Sequence, residues 1–268
     1  MKYTLITGAS GGIGEALARK LAARKHNLVL VARSAQKLAI LSKELMEKYG
    51  MQAEFITADL TKPEACFQVF EETQRQNWEI EMLVNNAGVG SGGEFAALSL
   101  QSELDLLQLN NASLLAMTHL FLQPMRRRKS GTIINVASMA SFIPVPYMAT
   151  YAASKAFVRS FTEALTQECK PLNIRVMLFA PGLTRTNFNE SAGINNEKGA
   201  GLSSDYQTAP TQTPQEVADE LLKALDSKKQ FHISGSRNRF GARLAALLPN
   251  SLITRFMARS YRKKLGYL

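Results

Sequence analysis

The sequence predicts an α/β fold, a doubly wound and mostly parallel seven-stranded sheet with helices on both faces. Three observations lead there. Short apolar and β-branched runs alternate with segments of helical spacing along the chain. The apolar runs lack strict alternation with polar residues, which marks strands buried on both faces. A chain of 268 residues, 46% hydrophobic and 20% charged, has the length and composition of one large globular unit.

Taken in order, Tyr3–Thr7 reads as the first strand and Ile13–Arg24 as the helix that follows it. Strand Asn27–Ala32 precedes helix Ala35–Tyr49, and strand Ala53–Ala58 precedes helix Pro63–Arg75. Met82–Asn85 is the fourth strand, with a long helix expected over Leu104–Arg127. Strand Thr132–Val136 leads to helix Ala152–Cys169, strand Arg175–Phe179 to helix Pro214–Asp226, and Gln230–Ile233 closes the sheet. Parallel neighbours imply right-handed crossovers. Asn187–Pro214 breaks this rhythm; rich in Gly, Asn, Ser and Thr, it is expected to be a functional loop or lid.

After Ser236 the pattern changes. Phe240, Leu244, Leu247 and Leu248 fall at helical spacing before Pro249; Leu252, Ile253, Phe256, Met257, Tyr261 and Leu265 do so after it. Residues 1–236 are therefore expected to form the main domain, and residues 237–268 a basic amphipathic extension packed on it or continuous with it.

The charge supports that division. The net charge is +10, and ten of the 32 Lys and Arg residues follow Ser227 with no acidic residue among them. Residues 1–227 are balanced at 22 basic and 22 acidic side chains, so the basic excess belongs to the tail and does not mark the domain as nucleic-acid-binding. Three readings of the tail stay open: packing over a substrate pocket or partner subunit, a weak contact with an anionic membrane surface, or nucleic-acid binding. The last is set aside because no base-stacking pattern accompanies the charge.

Two cysteines, Cys66 and Cys169, form no Cys-x-x-Cys or Cys/His cluster, which excludes a disulfide framework and points to no metal site. The uncharged stretches Leu106–Met125 and Gly131–Ser154 are interrupted by Asn, Gln, Ser, Thr, His or Pro, so they read as core around a polar cleft and not as bilayer spans. Met1 runs straight into the first strand with no signal peptide, and the expected location is the cytoplasm.

Thr7-Gly8-Ala9-Ser10-Gly11-Gly12-Ile13-Gly14 follows the first strand and opens the first helix. Glycine allows a tight turn and close approach to a pyrophosphate, whose charge is stabilised by the amides and dipole of a helix amino terminus. Tyr151 and Lys155 stand four apart in Tyr151-Ala152-Ala153-Ser154-Lys155, which places both on one helical face. A nearby ammonium is expected to lower the phenol pKa from about 10 and suit it to acid–base work. Ser138 lies upstream at the carboxyl end of a predicted strand, where ligands of open α/β sheets bind and where its hydroxyl could polarise a carbonyl.

With the spacing Thr-Gly-x-x-x-Gly-x-Gly at its start, a strand-end Ser138 and the Tyr151-x-x-x-Lys155 pair in that order, the sequence resembles the short-chain dehydrogenase/reductase family over nearly all of residues 1–235. The resemblance implies a Rossmann-like domain, a nicotinamide cofactor and a catalytic set of Asn110, Ser138, Tyr151 and Lys155, with Asn111 competing for the Asn110 role. Gly8, Ser10, Gly12, Ile13 and Gly14 would hold the pyrophosphate, Asp59 the adenine, and Asn86-Ala87-Gly88 would lie along the cofactor. Pro181-Gly182-Leu183-Thr184-Arg185-Thr186 resembles the segment at the nicotinamide end, with Thr186 the better match and Thr184 the alternative. Tyr151 and Lys155 would also touch the nicotinamide ribose.

The second strand ends Leu30-Val31-Ala32-Arg33-Ser34, with no acidic residue to read a ribose hydroxyl. Arg33 offers a planar fork suited to the extra phosphate, so NADP (NADPH) is expected over NAD. The predicted function is hydride transfer between NADP(H) and a small-molecule carbonyl or secondary alcohol, leaning to an apolar 3-oxoacyl- or steroid-like ketone. The competing reading is a non-catalytic NADP-binding regulator. Members of such a family commonly form homodimers or homotetramers. No role falls to His26, His119 or His232.

Overall fold

The computed structural model describes residues 1–186, 188 and 211–264. Seven strands form one sheet: β1 (Lys2–Thr7), β2 (Leu28–Ala32), β3 (Ala53–Thr57), β4 (Glu79–Asn85), β5 (Gly131–Val136), β6 (Ile174–Ala180) and β7 (Phe231–Ile233). Their order across the sheet is β3-β2-β1-β4-β5-β6-β7, and every neighbouring pair is parallel. The chain winds outward from β1 in one direction and from β4 in the other, so the strand order reverses between them. A crevice opens there beyond the strand carboxyl ends, where ligands of such sheets bind.

Helices α1 (Gly12–Ala23), α2 (Ala35–Tyr49), α3 (Ala65–Arg75), α4 (Leu100–Leu107), α5 (Ser113–Arg128), α6 (Ala149–Cys169) and α7 (Pro214–Asp226) connect the strands. The sheet's two-residue period sorts the core. Leu28 and Leu30 of β2 face Leu17, Leu38 and Leu221 from α1, α2 and α7. Val29 and Val31 face Val69, Phe121 and Leu165 from α3, α5 and α6. Alternate side chains thus enter opposite cores, and both are apolar, which is why these strands show no polar alternation in the sequence.

One expected element differs. The long helix forecast over Leu104–Arg127 begins earlier, at Leu100, and is interrupted by a π-turn over Gln108–Ala112. The Ser113 amide donates to the Gln108 carbonyl five residues back, while the Ser113 hydroxyl takes the Leu109 carbonyl. The extra residue in that turn shifts the helical phase at Asn110, and π-turns of this kind often mark functional sites.

On the α5 and α6 side of the sheet runs a buried polar chain. The Asn85 amide donates to Thr118 Oγ1 and to Asn135 Oδ1, both at 2.9 Å, and the Asn135 amide donates to Thr162 Oγ1 at 3.0 Å. It joins β4, α5, β5 and α6 through directional bonds that apolar contacts do not supply.

The tail forms two helices, α8 (Ser236–Ala245) and α9 (Asn250–Lys264). Ala242 is buried beside Val158, Leu178 and Ile233. Glu220 of α7 gathers Gln212, His232, Arg239 and the Gly235 amide, which ties the start of α8 to β7. The α9 helix does not split into the expected apolar and basic faces. Ile253, Met257 and Tyr261 are partly buried, whereas Leu252 and Phe256 are exposed among Arg255, Arg259 and Arg262. Leu265 and nearly all of the expected loop 187–213 lie outside the described residues. No helix among the described residues is long and apolar enough to cross a membrane.

Replacing Asn135 by Ala removes two buried hydrogen bonds and leaves Asn85 and Thr162 short of a partner. Denaturant unfolding is expected to show a loss of about 1–3 kcal/mol with an unchanged m-value.

Candidate active site

The glycine turn sits where the strand order reverses. Gly8 has φ +68, a left-handed backbone that favours glycine. At Gly14 space is the constraint, since a Cβ there would stand 2.3 Å from the Gly8 carbonyl oxygen and 2.6 Å from Asn86 Nδ2. Asn86 closes the turn from β4: its amide donates to Thr7 O at 2.9 Å, and Thr7 Oγ1 accepts from the Asn86 and Ala87 amides, each at 3.0 Å. Asn86 and Ala87, just before Gly88, therefore brace β1 against β4.

From this turn a cavity of about 410 Å³ runs along the carboxyl ends of β2 and β3. Gly8, Ser10, Arg33, Asp59, Ala87 and Gly88 line it, as do Ser34, Lys37 and Leu60. Burial pushes the Asp59 carboxyl up, but two bonds from Thr61 and the charges of Arg33 and Lys62 outweigh that and hold it below its ordinary value. Lys37 went unnoticed in the sequence, although the signal was there. Ser34 caps α2 by accepting from the Lys37 amide, the first turn holds no acidic residue, and Arg33 and Lys37 flank the cap. A helix amino terminus between two cations is suited to an anion. The bare glycines, the cavity and this basic end fit a phosphorylated dinucleotide. Ile13, at the start of α1, packs against the core on that side of the sheet and does not line the cavity.

The second half of the site lies beyond β4, β5 and β6. Tyr151 and Lys155, in the first turns of α6, are buried. The Tyr151 phenol shares a hydrogen bond with Ser138, whose hydroxyl also accepts from the Ala140 amide at 3.1 Å. Lys155 Nζ donates to the Val136 carbonyl at 3.1 Å. A Cβ at Gly88 would stand 3.1 Å from Asn110 Oδ1 and 3.3 Å from Lys155 Nζ, so these two side chains converge on one point above the brace.

Asn110 rather than Asn111 faces this point. Its carboxamide accepts from the Val89 amide and donates to Val89 O and to Ser154 Oγ. Asn111 reaches only the Ser154 carbonyl with its amide. The two threonines after Gly182 are placed differently. Thr184 is buried and turned onto the Gly182 carbonyl, whereas the Thr186 methyl stands over the glycine turn, 3.2 Å from a Cβ at Gly12, and its hydroxyl accepts from the Phe188 amide. Pro181 is fixed by its carbonyl accepting from Met139, and Gly182 is covered by Asn238 of α8, which sequence spacing gave no means to find.

The electrostatics differ from the expectation. Lys155 Nζ lies 6.0 Å from the Tyr151 ring centroid and bonds elsewhere. Burial dominates both groups: the phenol is pushed up to about 12 despite the Ser138 bond, and the ammonium is lowered to about 8. In the protein by itself Tyr151 therefore holds its proton tightly. The three histidines lie outside the site; His232, for instance, stacks on Phe179 and bonds Glu220.

An aromatic wall stands beside Tyr151. The Phe188 ring is 5.4 Å from that of Tyr151, and Tyr261 of α9 meets Tyr147 edge-on at 6.4 Å. Part of α9 thus packs beside the start of α6, while much of its apolar surface does not.

Residues 2–197 match the family model described as short chain dehydrogenase. A curated relative from Gallus gallus, "Hydroxysteroid dehydrogenase-like protein 1", is 33% identical over 74% of this chain, and the chain spans 60% of that protein's length. A 3-oxoacyl-(acyl-carrier-protein) reductase from Aquifex aeolicus (strain VF5) is 29% identical over 87% of this chain and 93% of its own. A solved short-chain dehydrogenase from Sphingobium yanoikuyae in complex with NADPH aligns with TM-score 0.81 and 31% identity over 92% of this chain and 93% of its own. Other solved structures of this fold were obtained with NADP or with NAD. Sheet order, glycine turn and family match agree: the chain belongs to the short-chain dehydrogenase/reductase family of oxidoreductases.

Proposed function

We propose that this protein is an NADP(H)-dependent reductase of an apolar carbonyl compound, of the 3-oxoacyl- or steroid-like class. The observation that carries this reading is the Ser138–Tyr151 hydrogen bond at the catalytic end, with Lys155 and Asn110 meeting above Gly88. When bound, the nicotinamide supplies or takes up the hydride. Ser138 and Tyr151 hold the carbonyl oxygen, and Tyr151 gives it a proton as charge develops there. A phenol that burial keeps protonated is suited to the reductive direction. Lys155 binds the ribose and supplies the positive charge that stabilises the phenolate left behind. Asn110, pinned between Val89 and Ser154, holds the π-turn and the proton path beside Lys155 in place.

Arg33 and Lys37 at the capped end of α2 favour the extra phosphate of NADP, with Ser10, Gly12 and Thr186 around the pyrophosphate, Asp59 at the adenine and Pro181-Gly182 at the nicotinamide. The wall of Tyr147, Phe188 and Tyr261 supports an apolar substrate, as do the names of the hydroxysteroid dehydrogenase-like and 3-oxoacyl reductase relatives. Residues 237–264 then belong to the same folding unit as the sheet, tied to it by Ala242, Arg239 and Tyr261. Exposed Leu104, Leu107, Leu115 and Phe157 on α4, α5 and α6 supply apolar faces for a homodimer or homotetramer. Buried thiols at Cys66 and Cys169 suit a reducing cytoplasm.

Tyr151→Phe is expected to bind NADPH normally, by fluorescence titration, while turnover of a ketone falls roughly 10²- to 10⁴-fold; near-normal turnover overturns the mechanism. Arg33→Asp is expected to weaken NADPH relative to NADH by roughly 10- to 100-fold, since a charge-assisted contact is replaced by a repulsive one. An unchanged ratio removes Arg33 from that role.

Lys155 also makes a stability prediction. Burial lowers its pKa to about 8 in the folded protein from an ordinary lysine value of about 10.4, so between those values the unfolded chain binds the extra proton and stability rises with pH. Below pH 8 the cost of the buried ammonium is fully present. Comparing unfolding of the protein with that of Lys155→Met, wild type should gain on the order of 3 kcal/mol on the variant from pH 8 to about pH 10. A constant difference would show that the folded lysine titrates normally.

A further inference from the structure

The tail carries an outward surface that the catalytic chemistry does not use. Of the 18 exposed large hydrophobic side chains among the described residues, six lie on α8, α9 and the corner between them. They are Phe240, Leu244, Leu247, Leu248, Leu252 and Phe256, with Leu247 81% and Phe256 77% exposed. Arg237, Arg243, Arg255, Arg259, Arg262 and Lys263 are exposed beside them, and the chain beyond Ser227 has no acidic residue. Elsewhere the chain is charge-balanced, so this one region joins apolar exposure to uncompensated positive charge.

From this combination we propose that the outer surface of α8 and α9 docks the protein on a lipid bilayer carrying anionic headgroups. Phe240 and Leu244 share the outer side of α8 with Arg237 and Arg243. Leu252 and Phe256 share the outer side of α9 with Arg255, Arg259, Arg262 and Lys263. Leu247 and Leu248 form an apolar tip where the helices meet. Aromatic and aliphatic groups that enter the headgroup boundary while arginines stay at phosphate level are the arrangement of an interfacial helix. The long stems of Arg and Lys let charge and apolar groups occupy one face without either losing its solvent.

A second copy of this chain is the weaker occupant, because pairing this surface with itself would oppose two sets of like charge with no acid between them. Nucleic acid would use the charge but leave four leucines without a partner. The inner side of α9 is engaged differently: Tyr261 packs against Tyr147 near the catalytic end. The docking surface and the pocket wall are thus opposite sides of one helix.

The test is flotation of the full-length protein, purified with NADPH, on phosphatidylcholine vesicles with and without phosphatidylglycerol. The protein is expected to float with the anionic vesicles and stay behind with the neutral ones, and added salt should release it as the charges are screened. Leu247→Glu/Phe256→Glu and Arg255→Glu/Arg259→Glu should each lower the bound fraction roughly tenfold or more. All four residues are exposed, so melting temperature and NADPH affinity should stay at wild-type values, which separates lost docking from lost folding. Three results overturn the proposal: no flotation with phosphatidylglycerol at low salt, flotation that the substitutions leave unchanged, or a dimer in sedimentation that Leu247→Glu/Phe256→Glu dissociates. Retention of the protein on RNA in preference to the vesicles overturns it as well.

Discussion

The structure depends on a contact with no room for a methyl group. Gly14 lies so close to the Gly8 carbonyl and to Asn86 that the amino end of α1 is pressed onto the ends of β1 and β4. Thr7 and Asn86 fix that approach with four hydrogen bonds between the two central strands. Because these strands flank the point where the order reverses, the same contact positions the cofactor crevice, the brace at Gly88 and, above it, Asn110 and Lys155. Fold and site share one constraint.

The second governing effect is desolvation. Tyr151 and Lys155 stand on a buried face of α6, and the same burial moves one pKa up and the other down. A lysine held so near neutrality costs stability that a methionine would not, yet it places an exchangeable charge where ordinary solvation would hide it. The phenol responds oppositely and retains its proton. Ser138 acts against this trend, and its position is set by the Ala137 amide bonding Phe179 O and by Ala140 closing the turn.

The sequence made legible whatever depends on local chemistry. Arg33 at a strand end, Tyr151 and Lys155 one turn apart and the glycines after β1 are all read from spacing, and each lies where spacing put it. Lys37 is equally local, but its role depends on the Ser34 cap, which turns the first turn of α2 toward the cavity beside Arg33. The π-turn at 108–112 was not readable: nothing in Gln108-Leu109-Asn110-Asn111-Ala112 distinguishes it from α-helix, and the bonds Asn110 makes within it go to Val89 and Ser154, far away in the chain. Asn238 over Gly182 and the Glu220 hub are non-local in the same way. The phenol's pKa is non-local for a related reason, since helical spacing gives proximity but not the orientation of a flexible lysine or the depth of its burial.

The stems at Leu183–Arg185 and Gln212 carry a final consequence. The Gln212 amide donates to Leu183 O at 3.0 Å and the Arg185 amide to Gln212 O at 2.9 Å, so the chain leaving β6 and the chain entering α7 are clipped together beside the pocket. Whatever lies between them is closed at its base, and lengthening a closed segment twofold costs only about 0.6 kcal/mol in chain entropy. The clip therefore lets the number of residues between the two stems change at little cost to the sheet that carries them.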